Sequence, residues 1–283
     1  VARRRAWTAY VIGVTILAAL AVVVVRAVWD TATSHLHAED CTIGGYVLDP
    51  AQAEVAASMV AAQTRFQPAL PDRAAVLALA AGLQESKLRN LPPGAGDRDS
   101  VGVLQQRPSQ GWGGGDVTKL ENVGTATTEF LQHLIKIDGW QTLPLAVAIQ
   151  DVQVSADGSA YAQYESEALA LTNALRGRVA QAVTCEFPVP TVAAQPATVA
   201  ARLQAELPVN PPSTDHGRIT IPGAGWQTVA WLISYADRLG IDAVGYDGRT
   251  WVRAHGWRTS SAAADSVVAT MAIPPGGAHQ VGN

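Results

Sequence analysis

One carboxylate, Glu85, closes a run that holds only small or apolar residues from Ala74 to Leu83. A helix that is apolar all round belongs inside a core. An acid at the end of such a helix is costly to desolvate unless something uses it. Burial and the negative end of the helix dipole both raise its pKa. A glutamic acid kept protonated near neutral pH can hand its proton to a leaving oxygen. At helical spacing Glu85 shares a face with Ala78, Ala81 and Gly82, whose small size predicts a hollow beside the acid. The blander alternative is an exposed glutamate paired with Lys87 or Arg89.

A polar, glycine-rich loop follows and carries Asp97 and Asp99, 12 and 14 positions after Glu85. Next comes the compact element Gly102-Val103-Leu104-Gln105-Gln106-Arg107-Pro108. Glu85-Ser86 followed by Gly102 to Gln105 resembles the paired motifs of the lytic transglycosylase and goose-type lysozyme superfamily. Gly96 to Ser100 (GDRDS) and Leu104 to Gly113 (LQQRPSQGWG) are similar to an actinobacterial, exported, membrane-anchored subgroup. The likeness covers about Gln52 to Leu175.

The resemblance implies a lysozyme-like helical fold and cleavage of peptidoglycan glycan strands without a cofactor or metal. Glu85 would be the general acid and Ser86 would help orient it. Gln105 and the backbone around Gly102 would hold an N-acetyl group. Asp97 or Asp99 would place a water or steady positive charge, as inversion requires. A loop laced by its own side chains is the alternative for these two acids. Gln106, Arg107 and Trp112 belong to the same element and are expected at the substrate. Arg107-Pro108 as a plain turn and Trp112 as a packing residue are the alternatives. The superfamily's third motif, Ala-Tyr-Asn, corresponds here to Ala148-Ile149-Gln150, and Ile149 has no hydroxyl. Tyr161 or Tyr164 would supply one from a neighbouring loop, unless both are packing residues. A second functional reading follows from Ile149: a catalytically silent, wall-binding scaffold of a cell-envelope complex.

Around this centre the composition sets bounds. Net charge is −4 and the pI about 5.9, which gives no electrostatic case for nucleic acid. Arg3, Arg4 and Arg5 precede an uncharged run from Ala6 to Val25. Twenty helical residues span about 30 Å, the thickness of a bilayer core, so the run predicts a single-pass anchor with the bulk of the chain outside the cytoplasm. A cleaved signal peptide is the rival. Cys41 and Cys185 are the only cysteines. Outside the cytoplasm a disulfide between them can persist, closing 144 residue steps; two buried free thiols are the alternative. His35 and His37 sit in a polar segment read as a spacer rather than a metal site.

The expected fold class is mainly α. One transmembrane helix would precede a lysozyme-like helical domain and a small C-terminal α+β module. The boundaries are 1–30 for the cytoplasmic tip and anchor, 31–48 juxtamembrane, 49–186 helical domain, 187–214 linker, 215–273 accessory domain and 274–283 tail. Asp49-Pro50 and Pro71-Asp72 are helix starts. Six prolines between Phe187 and Thr214 read as a semi-rigid spacer with room for a short helix from Ala197 to Leu207. Asp247-Gly248 is a hairpin turn between two strands. Trp226, Trp231, Trp251 and Trp257 are expected mostly as core.

Overall fold

The computed structural model describes residues 40–154 and 158–273, which fall within one compact unit. The expected anchor at 6–25 and the His35–His37 segment lie outside the described residues. Among those described, no helix is long and apolar enough to cross a membrane.

The chain opens on strands β1 (Cys41–Ile43) and β2 (Tyr46–Leu48), followed by α1 (Pro50–Thr64) and α2 (Asp72–Ser86). Short helices α3 (Val117–Glu121), α4 (Val123–Leu134) and α5 (Leu145–Gln153) come next. A 3-10 turn, Gly158–Tyr164, leads into α6 (Glu165–Leu175) and β3 (Val183–Cys185). The remainder is α7 (Pro196–Glu206), β4 (Ser213–Asp215), β5 (Arg218–Pro222), α8 (Trp226–Ser234), α9 (Ala236–Leu239), β6 (Ile241–Tyr246), β7 (Arg249–Val252), β8 (Gly256–Thr259) and β9 (Ser266–Met271).

This corrects the expectation of a mainly α chain. Among the described residues helix accounts for 45% and strand for 18%, and the strands form two antiparallel sheets. One is β2-β1-β3; the other is six-stranded, in the order β4-β5-β9-β6-β7-β8. The three-residue strands of the first sheet are too short to show alternation, so a period-based reading passes over them. In the second sheet the Asp247-Gly248 turn joins β6 to β7 as expected, with Tyr246 opposite Arg249. The sheet grows further because β9 inserts between β5 and β6.

Helix starts follow local chemistry. The Asp49 carboxylate accepts from the Gln52 amide (2.8 Å) while Gln52 Oε1 accepts from the Asp49 amide (2.9 Å), a reciprocal capping box. Helix α2 is buried along nearly its whole length, from Ala74 to Leu83. Its ends are tied down by different means. Asp72 at the start accepts from Arg176 (2.9 Å) and Arg178 (2.8 Å) at the end of α6. At the finish Lys87 turns left-handed (φ 57°) and the Leu88 amide donates back to the Gly82 carbonyl, 3.0 Å.

Helix α8 packs against both the larger sheet and α1, so Thr228 to Ser234 are all buried. The short helix within the proline-rich segment is α7, and its buried Val199, Ala200 and Leu203 make the segment more than a spacer. Arg253 is 2% exposed and donates to the carbonyls of Pro188, Ala236 (2.7 Å) and Ile241 (3.3 Å) and to Asp237 (2.7 Å). A charge this deep is tolerable because most of its donors are matched. Cys41 and Cys185 are direct partners across β1–β3 and form a disulfide.

Candidate functional site

Three chain segments converge on Glu85. The acid sits in the last turn of α2 and is half-buried. From the 3-10 turn, the Tyr161 hydroxyl donates to Glu85 Oε1 at 2.5 Å. Tyr161 itself is 1% exposed, so packing fixes its ring. From the end of α5, the Gln153 amide reaches the same carboxyl and also donates to the Leu104 carbonyl, 2.9 Å.

Desolvation raises the Glu85 pKa above its ordinary 4.5, against the hydrogen bonds from Tyr161 and Gln153, which favour the charged form. No cation is ion-paired with Glu85 among the described residues. Tyr161 donating to Oε1 favours the carboxyl proton on Oε2, from which it can be given away.

The turn beyond the glycine-rich loop is braced against this helix end. Ser86 Oγ donates to the Val103 carbonyl (2.8 Å), with the Gly82 carbonyl a longer alternative at 3.2 Å. Val101 and Gln106 exchange backbone bonds, and the Gly102 amide donates to the Leu91 carbonyl, 2.8 Å. Gly102 needs its lack of side chain: φ is 77°, and a Cβ would lie 2.4 Å from the Leu120 carbonyl oxygen. Gln105 is half-buried, with its side-chain amide donating to the Gly102 carbonyl, 2.8 Å. Gln106 is buried and donates to the Ala126 carbonyl at 3.3 Å, a position that suits holding the turn.

Other expected site residues have different work. Both Asp99 oxygens are occupied, one by Arg107 Nε and one by the Ser109 amide, each at 2.8 Å. The bonds from Ser109 and Arg107 hold its pKa far below the usual carboxylate range. Asp97 is exposed and faces Arg98 at 3.8 Å. Neither acid shares a hydrogen bond with Glu85 among the described residues. Trp112 packs on His133, ring centroids 4.5 Å apart. The Tyr164 hydroxyl accepts from the Lys87 ammonium, which also lies 4.5 Å from its ring centre. Ile149, at the position that lacks the hydroxyl, is fully buried.

The hollow expected beside Glu85 is filled. A Cβ at Gly82 would come within 3.1 Å of Met59 and 3.2 Å of Leu88. Clefts of about 600 and 850 Å³ occur elsewhere, the first between Glu54, Leu88–Leu91 and Arg202, the second around Phe66, Thr128 and Lys136. Their largely buried acids are already matched. Glu54 pairs with Arg238 and Arg202, and Glu206 accepts from Trp231 and Tyr235, each at 2.9 Å. Glu85 differs in holding a raised pKa with no cation to answer its charge, which is why it, and not the larger clefts, is taken as the chemical centre.

Gln153 was not singled out from the sequence. A glutamine carries no signal of its own, and this one matters only because the end of α5 meets the 102–106 turn. Tyr161→Phe should loosen the acid and, on a proton-donor role for Glu85, slow turnover about 10²-fold. It should also raise the Glu85 pKa further, moving the alkaline limb of a pH–rate profile to higher pH. An unmoved limb would separate Tyr161 from the acid's ionisation.

No family model matches the chain, and no curated protein sequence matches it.

Proposed function

We propose that this protein cleaves peptidoglycan glycan strands by proton donation from Glu85. The observation that carries the reading is a half-buried carboxyl with a raised pKa and no cation partner, fixed by the Tyr161 hydroxyl. The resemblance of Glu85-Ser86 and Gly102 to Gln105 to the lytic transglycosylase superfamily supports it.

Glu85 gives its proton to the oxygen bridging N-acetylmuramic acid and N-acetylglucosamine, and the bond from that oxygen to the muramyl anomeric carbon breaks. The muramyl C6 hydroxyl then adds to the anomeric carbon and returns its proton to the Glu85 carboxylate. The product is a 1,6-anhydro end, and no water is consumed. This route needs a single acid. It fits a site in which Asp99 is held by Arg107 and Ser109 while Asp97 stands in solvent. Hydrolysis with a second carboxylate fits less well.

A disulfide persists in an oxidising compartment, which agrees with action outside the cytoplasm. The uncharged run at 6–25 is the segment that would anchor the chain there. A silent wall-binding scaffold is the second reading, favoured by the packing of Met59 and Leu88 into the space beside Gly82.

Digestion of purified sacculi by the full chain, with product masses, tests these readings. Soluble fragments ending in anhydro-muramic acid are expected. Fragments heavier by one water would replace lysis with hydrolysis, and sacculus binding without any fragments would favour the scaffold.

A further inference from the structure

The rim of the Glu85 site carries a cation that the proton-transfer chemistry does not use. Lys87 lies two residues after the acid, in the left-handed position that ends α2. Its backbone is pinned, because its carbonyl accepts from Gln52 Nε2 at 2.7 Å. Its exposed side chain is directed as well as pinned. The ammonium bonds the Tyr164 hydroxyl, and nearby Glu167, itself half-buried, is influenced by the Lys87 charge.

Glu85 and Lys87 therefore lean on two tyrosines, Tyr161 and Tyr164, three residues apart in one 3-10 turn. At that spacing side chains eclipse along the same edge, which places the ammonium on the same rim as the proton donor. Lysine has three donors. Tyr164 takes one, and no carboxylate lies within ion-pair distance of Lys87 among the described residues. A directed ammonium with no carboxylate in ion-pair distance, two residues from Glu85, can receive an anion on the substrate.

We infer that Lys87, positioned by Tyr164, binds a carboxylate carried by the sugar next to the bond being cleaved, and so selects acidic glycan strands over neutral ones. The inference rests on the proposed function for its choice of site. Two sources share the chemistry: the lactyl group of a peptide-free muramyl residue, and the carboxylates of a stem peptide attached to it.

The test measures binding to the full chain carrying Glu85→Gln, which separates recognition from cleavage. Three ligands of equal sugar length are compared: a neutral N-acetylglucosamine oligomer, an alternating oligomer with free lactyl carboxylates, and the same oligomer bearing stem peptides. At low salt an acidic ligand should bind about tenfold more tightly than the neutral one, the scale of one charge-assisted hydrogen bond. Whichever acidic ligand gains identifies the source. Adding Lys87→Met should erase the gain and leave neutral-oligomer binding unchanged, whereas Lys87→Arg should keep most of it. The gain should also shrink with added salt.

Equal affinity for all three ligands, no binding of any, or a preference that survives Lys87→Met overturns the inference. Sacculus digestion by the unmutated chain reports separately on the proposed function. Cleavage without a Lys87-dependent preference removes only the inference. A Lys87-dependent preference without cleavage removes only the cleavage.

Discussion

Glu85→Gln is expected to reduce muropeptide release by about 10³-fold, the scale on which positioned acids contribute. Glutamine keeps the shape and still accepts from Tyr161, so the fold should survive while the transferable proton is gone. The same variant carries a stability signature with a definite sign. Burial raises the Glu85 pKa in the folded chain above the ordinary 4.5. The folded state therefore binds this proton more tightly than the unfolded one. The associated stability is fully present below the ordinary value and is lost as pH rises through the folded pKa. Glu85→Gln, which cannot ionise, should match the parent in acid and melt at a higher temperature than the parent at neutral pH and above. Melting curves across that range check it. A variant less stable than the parent at neutral pH would mean that the charged form is favoured in the fold, contrary to the proton-donor reading.

The second large effect concerns the Cys41–Cys185 disulfide. It closes 144 residue steps and joins directly opposed positions of β1 and β3. The chain-entropy model gives such a loop roughly 5 kcal/mol, an upper-end figure. That is a large share of the roughly 5–15 kcal/mol typical of a domain. Replacing both cysteines with serine should lower the melting temperature by about 10 °C, taking about 2–4 °C per kcal/mol at this size. Reductant should lower the parent's melting temperature to near that of the variant and leave the variant unmoved. Equal stability with and without reductant would show that the small sheet holds without its cross-link.

The acid was legible because its signal is local: an apolar helix ends on one charge. The Tyr161 contribution was half legible, since two tyrosines stood in the right neighbourhood and only packing chooses between them. Tyr161 took the acid and Tyr164 took Lys87. Asp97 and Asp99 matched the residue type that inversion needs, yet Arg107 and the Ser109 amide claim Asp99 across 8 and 10 positions. Sequence spacing does not report such competition for a carboxylate. The small face of α2 predicted a hollow, but whether glycine opens space or invites a neighbour depends on Met59 and Leu88, which arrive from elsewhere.

The same division runs through the fold. Capped helices and the Asp-Gly hairpin announced themselves within a few residues. In the β2-β1-β3 sheet, β1 pairs with β3 far along the chain, Cys41 opposite Cys185, and each strand is too short to alternate. Strands β4 and β8 are equally hard to read. The Ser213–Asp215 strand is wholly exposed and the Gly256–Thr259 strand starts at a glycine, so neither offers the period-2 burial that marks a strand in sequence.

Trp251 and Trp257 both give their indole N–H groups to backbone carbonyls of the small sheet, at Cys185 (3.0 Å) and Val183 (2.9 Å). Rings committed in this way are not a separable cassette that evolution or an engineer could shuffle onto another chain. Cutting the chain before this region would strip the acceptors of their donors and bare the edge that the cross-link guards. The part that carries Glu85 and its neighbour should therefore be inherited, expressed and lost together.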